Sequence, residues 1–228
     1  MGLRILRGAG LAALLVVVLA LPACSSTPAG SETAAQLVPA LQAAAAAATS
    51  VHVAGSLTQG TRATTIDVSI SGDSVVGYLG ANGTHYYVLS LNGNSFVKLN
   101  AAFLRLENAP ASLCAQICGK YVQLSTSGTM QITELLSMQQ IVREVFNNQN
   151  MSAAASSGCI FSPATLNGQS VLQCRHGGAT LAVAAHGTPY LVYWSGPHGQ
   201  HLVFSEWNSV VLPPAPPASQ VVPLSSLS

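Results

Sequence analysis

The chain has 228 residues, with eight basic and seven acidic side chains giving a formal net charge of +1. That length suits one domain with short tails, and so even a balance argues against a nucleic-acid partner, which needs a basic footprint. Only 7% of residues are charged, far below the roughly 25% of an average soluble domain; Ala, Ser, Gly, Thr and Val fill the gap.

The first element is a leader. Arg4 and Arg7 form a basic head, and an uncharged, mostly apolar run from Gly8 to Ala23 follows. The run falls short of the about 20 residues that span a bilayer, and its layout is that of a secretory signal. It closes on Leu21-Pro22-Ala23-Cys24, with Leu at −3 and Ala at −1, the pattern of a bacterial lipobox. Residues 1–23 therefore read as a lipoprotein signal peptide and Cys24 as the lipidated residue. Pro22 departs from the usual Ala, Ser or Thr, and the alternative is an incidental cysteine after an ordinary signal. The reading places the protein on the extracytoplasmic face of the cell membrane, held by its lipid anchor. A single chain would hold only marginally, and an acylated cysteine supplies several.

Residues 24–33 (CSSTPAGSET) lack large hydrophobics and read as a flexible tether. Residues 34–49 are small helix formers, with alanines from Ala43 to Ala48. Pro39 either kinks this helix or begins it. The period then changes to two: Val51, Val53, Gly55 and Leu57 alternate with polar or small residues, as do Thr64, Ile66, Val68 and Ile70. Strand-like runs follow at 74–79, 84–90 and 95–99, punctuated by the hairpin signals Asn82-Gly83 and Asn92-Gly93.

Residues 101–118 read as helix or loop, and Gly119 to Val122 as a short extended piece. Over 131–147 Leu135, Met138, Ile141, Val142 and Val145 form one apolar stripe of a helix. A second meander has runs at 159–161, 169–175, 179–185, 190–195 and 200–205, and Val210 to Leu212 is a candidate last strand. The expected domain spans 34–212, of α+β class. Residues 213–228 form a Pro-rich tail, extended or disordered.

With Cys24 lipidated, Cys114, Cys118, Cys159 and Cys174 remain, and an even remainder outside the cytosol implies disulfides. Three connectivities exist; Cys114–Cys118 with Cys159–Cys174 is favoured because both close short local loops. A four-cysteine zinc site is the sharper reading, but Cys-x-x-Cys is absent.

No G-x-S-x-G, H-E-x-x-H or phosphate loop occurs. His198 and His201 could share a metal with His176 or His186, but no carboxylate completes a site, so no metal and no cofactor are assigned. Triads are defined by geometry rather than spacing, which leaves a hydrolase as a third-ranked reading; the chain is read as non-enzymatic.

The order of motifs carries a resemblance. A lipobox precedes an Ala-rich helix running into Ser50-Val51-His52-Val53, and the first sheet leads to Ser95-Phe96-Val97-Lys98 and Ala101-Ala102-Phe103-Leu104. Gly119-Lys120-Tyr121-Val122 follows, then Ala185-His186-Gly187-Thr188-Pro189-Tyr190 and Phe204-Ser205-Glu206-Trp207. Over about 36–212 this layout resembles the actinobacterial lipoproteins of the LppX/LprG type, with Tyr121 where that family has tryptophan. The resemblance implies a LolA-like half-barrel: a strongly curved antiparallel sheet with helices covering its concave face. It also implies a lipid or glycolipid ligand held between sheet and helices. On that basis Ile66, Val68, Ile70, Tyr86 and Val88 of the sheet, with Leu135, Met138 and Val142 of the covering helix, are the expected lining. The competing reading is an interaction or scaffold lipoprotein with a packed interior and no ligand.

Overall fold

The computed structural model describes residues 32–59, 62–81, 83–125, 159–196 and 199–227. Cys24, Leu135, Met138 and Val142, and the helix expected over 131–147, lie outside the described residues. The chain opens with strand β1 (Glu32–Thr33) and helix α1 (Ala34–Ala47). A meander follows: β2 (Ser50–Gln59), β3 (Arg62–Ser71), β4 (Ser74–Ala81), β5 (Thr84–Leu91) and β6 (Asn94–Lys98). Helices α2 (Ala101–Leu106) and α3 (Ala111–Ile117) lead into β7 (Tyr121–Gln123). The second meander is β8 (Ile160–Leu166), β9 (Gln169–His176), β10 (Ala179–Ala184), β11 (Leu191–Ser195) and β12 (His201–Ser205), and β13 (Val221–Pro223) ends the sheet.

All strands belong to one sheet in the order β1-β8-β9-β10-β11-β12-β2-β3-β4-β5-β6-β7-β13. Every pairing is antiparallel except β7 with β13. The sheet is curved and remains open, with β1 and β13 as its edges, so the fold is an α+β half-barrel. Turn chemistry sets the hairpins. Asn92 and Gly93 have φ of 50° and 76°, and Asn167 and Gly168 have 50° and 80°. Two successive positive φ values match the right-handed twist of the flanking strands.

Curvature has a sequence cause at two glycines. Gly55 and Gly77 lie inside strands with φ of 152° and 148°, and a Cβ there would overlap the carbonyl oxygens of His201 and Asp67 on the neighbouring strands. Only glycine permits that approach, which lets a strand bend.

Helix α1 begins before Pro39 and runs through it. Gln36 Oε1 accepts from Thr33 N at 3.1 Å and from Thr33 Oγ1 at 2.8 Å, fixing the entry. Its buried face (Ala34, Leu37, Val38, Leu41, Ala45) packs on the concave side of β2–β5 and β9–β12. Helices α2 and α3 cover the same side near β6 and β7, through Leu104, Ile117, Val97 and Val122.

Disulfides join Cys114 to Cys118 (Cα–Cα 4.8 Å) and Cys159 to Cys174 (6.1 Å). They occupy the four sulfurs that a zinc site would need. The second also secures α1, because Cys159 O accepts from Ala34 N at 2.8 Å.

Val210 to Leu212 do not form the expected last strand. The Val210 amide donates to Ser50 Oγ at 3.2 Å instead, and prolines without N–H follow. The Pro-rich segment is extended across the convex face, where Leu212 and Val221 pack beside Val76, Leu89 and Phe96. Its end returns to the sheet as β13, and nothing in the sequence pattern announces that return.

Candidate functional site

Strand register arranges the concave side in rows. In the first, Val51, Ile70, Val75, Ser90 and Ser95 lie side by side, and none exceeds 3% exposure. Ser95 Oγ donates to Ser90 Oγ at 2.8 Å, which makes that polar pair tolerable in the interior. The second row runs Phe204, Val53, Val68, Gly77, Val88 and Val97. The third runs Cys174, Leu181, Trp194, Leu202, Gly55, Ile66, Leu79 and Tyr86.

Burial changes along these rows. Val68, Ile70 and Val88 are at 0% exposure inside the cluster with α1. Ile66 and Tyr86 are half-buried at its margin, together with Leu57, Leu79 and Val97. Alternation assigns all five expected lining residues to one face. The structure then separates them: Val68, Ile70 and Val88 into a packed core, Ile66 and Tyr86 into a partly open patch. Leu57, Leu79 and Val97 join that patch without having been among the expected lining residues; their half-burial is a tertiary fact.

The patch is flanked on its far side by α2, where the Tyr86 and Phe103 ring centroids lie 4.7 Å apart. Burial, and then the nearby Glu107 carboxylate, pushes the Tyr86 phenol up, so the ring is neutral. The third row holds a further feature. Trp194 is 4% exposed, and its buried indole Nε1 has no hydrogen-bond partner among the described residues. An unpaired buried donor costs on the order of 1–3 kcal/mol.

The Phe204-Ser205-Glu206-Trp207 segment and its neighbour Asn208 form a clamp at the closed end. Trp207 stacks on Tyr190 (4.7 Å, 9°) and donates from Nε1 to Leu191 O at 2.9 Å. Asn208 Oδ1 accepts from Thr49 N at 2.7 Å, and its Nδ2 donates to Tyr190 Oη at 2.6 Å. The clamp locks the end of β12 to the α1–β2 junction.

On the convex face His52 bridges Ser205 (Nδ1 to Oγ, 3.1 Å) and Asp67 (Nε2 to Oδ1, 2.9 Å). These are the residue types of a hydrolase triad. However, the Asp67 side chain is 64% exposed, and all three stand on regular strands rather than at a strained nucleophile turn. The row reads as a cross-strand polar ladder. Among the described residues no three His, Cys, Asp or Glu converge to hold a metal ion. No helix among them is long and apolar enough to cross a membrane.

No protein-family model and no curated protein matches the chain. Solved structures do. The chain is similar to LprF from Mycobacterium bovis at 14% identity and a TM-score of 0.54, covering 82% of this chain and 99% of that one. The lipoprotein LppX from Mycobacterium tuberculosis aligns at 17% identity and a TM-score of 0.45, covering 78% and 97%. The likeness to LprF is one of fold.

Proposed function

We propose that this chain is a non-enzymatic lipoprotein, anchored through Cys24 on the extracytoplasmic face of the membrane, that binds an apolar lipid or glycolipid on its concave side. The observation that carries the reading is the change of burial along the third row, from Leu202 at 5% to the half-buried Ile66, Leu79 and Tyr86. A packed protein has no need to leave a contiguous apolar patch between two sets of helices, and an acyl chain would gain about 0.8 kcal/mol per methylene buried there. Leu135, Met138 and Val142 would complete the enclosure. The Trp194 N–H supports the same reading, since a ligand carbonyl would supply its missing acceptor.

The test is native mass spectrometry of the protein expressed in an actinobacterial host. Extra mass released as an intact lipid, and lost in Ile66→Asp while the fold persists, is the expected result. A bare mass after incubation with total envelope lipid would defeat the reading. That outcome would favour an interaction lipoprotein with a filled interior, which the complete burial of Val68, Ile70 and Val88 supports.

A further inference from the structure

A second cleft lies at the rim of the sheet, where β4–β7 meet the loops around α2 and α3. Its volume is about 560 Å³, within the range of small-molecule sites. The floor is a cross-strand row on the convex face. Tyr78 of β4 pairs in register with Tyr87 of β5, Tyr87 pairs with Lys98 of β6, and Tyr121 of β7 stands next. The rings meet edge to face, Tyr78 to Tyr87 at 5.2 Å and Tyr87 to Tyr121 at 6.2 Å, with His85 set at 5.8 Å from Tyr78. Lys98 Nζ sits 4.9 Å over the Tyr121 ring.

The walls are fixed. Asn100 donates to His85 O at 2.7 Å and accepts from Phe103 N at 2.8 Å, so the β6–α2 loop is tied to β5. The opposite lip is Cys118-Gly119, held by the disulfide to Cys114. Aromatic residues on a convex face normally pack under something, as Phe96 does under the tail. Tyr78 instead remains 49% exposed. Among the described residues, the Tyr78, Tyr87 and Tyr121 hydroxyls have no hydrogen-bond partner, and Lys98 has no carboxylate partner.

We infer that this cleft is a saccharide-binding site, built on the opposite face of the sheet from the concave patch and meeting it only at Tyr86 on the rim. A pyranose presents a C–H face that suits the electron-rich face of an aromatic ring, and a rim of hydroxyls that suits free phenols and His85. Lys98 bears on the choice of ligand. Its ammonium already occupies one ring face and repels a second cation, so the row is not a cage for quaternary ammonium. It also favours saccharides with an acidic substituent over neutral ones. Burial, then the neighbouring Tyr121 and Tyr78 phenols, pushes the Tyr87 phenol up, which keeps it a neutral donor.

The test uses the full chain and free oligosaccharides without acyl chains, neutral and uronic-acid-containing, with binding read by NMR shifts of the tyrosine rings and by calorimetry. The expected result is binding that shifts the Tyr78, Tyr87 and Tyr121 signals. Tyr78→Ala, at an exposed position that leaves the fold intact, should weaken it about tenfold. Lys98→Gln should weaken only the acidic ligands. No binding by either class, binding untouched by Tyr78→Ala, binding of phosphocholine instead, or binding only of acylated glycolipids would each overturn the inference. Because the probes carry no lipid, failure here leaves the concave-side reading standing, and failure there leaves this one standing.

Discussion

The two ends of the concave face are built from the same residue types and behave differently. At one end Val51, Val53, Val68, Ile70 and Val75 are sealed under α1, each at 1% exposure or less. At the other, Leu57, Ile66 and Leu79 continue the same strands with the same alternation, yet are half-buried. Hydrophobicity is common to both ends, and what separates them is the depth of burial. A sheet face can thus serve as core along one stretch and as binding surface along the next.

The sharpest way to break this comparison is a matched pair of charges. Val68→Asp places an unpaired carboxylate in the sealed end and should cost about 4 kcal/mol or more, enough to unfold a marginal domain; chemical denaturation measures it. Ile66→Asp, one side-chain repeat further along β3, should cost about 1 kcal/mol and remove lipid instead. Equal destabilisation by both would mean that the ends do not differ.

A smaller effect should come from the staple between β9 and the segment that holds the start of α1. Replacing Cys159 and Cys174 together by Ser removes a constraint with a sequence separation of 15, expected to be worth about 3 kcal/mol. Thermal unfolding with and without reductant checks it, and the open patch should retain its ligand at low temperature. Asn208→Ala cuts the clamp between β12 and the α1–β2 junction and should cost about 1 kcal/mol, read from the same melts.

The smallest effect is a pH dependence from β5, through Tyr86 on its concave face and Tyr87 on its convex face. Tyr86 and Tyr87 both have phenols raised above the ordinary 10.0, chiefly by burial. The folded state therefore holds protons that the unfolded state has released above pH 10. Their contribution to stability is whole below pH 10 and is lost as pH rises through the folded values. Ultraviolet phenolate titration should show a late-titrating subset of tyrosines, which denaturant abolishes.

Much of this fold was legible in the sequence because it rests on local rules. Alternation placed β2 and β3, strand-like runs marked β4 to β6, β9 to β12 and the first residues of β8, and Asn92-Gly93 placed a hairpin. Short loop closure selected the Cys114–Cys118 and Cys159–Cys174 pairing that is present. Less of the site was legible. Period two says which face Val68 and Ile66 share, but not that the first is fully buried and the second only half-buried. The exposed row from Tyr78 to Tyr121 depends on register across four strands, and the Trp194 N–H is orphaned only because of what surrounds it. The return of Val221 to the sheet edge follows no motif, since a Pro-rich tail carries neither periodicity nor turn signature.

The strand order also bears on how the chain reaches its shape. Each meander consists of strands adjacent in sequence, which can pair as soon as they exist. The seam between β12 and β2 joins His52 to Ser205 across 153 residues. Closing so long a loop is slow relative to forming hairpins. Two half-sheets should therefore form early and meet late, so a chain arrested before β12 would expose the unpaired edge of β2, a template for self-association.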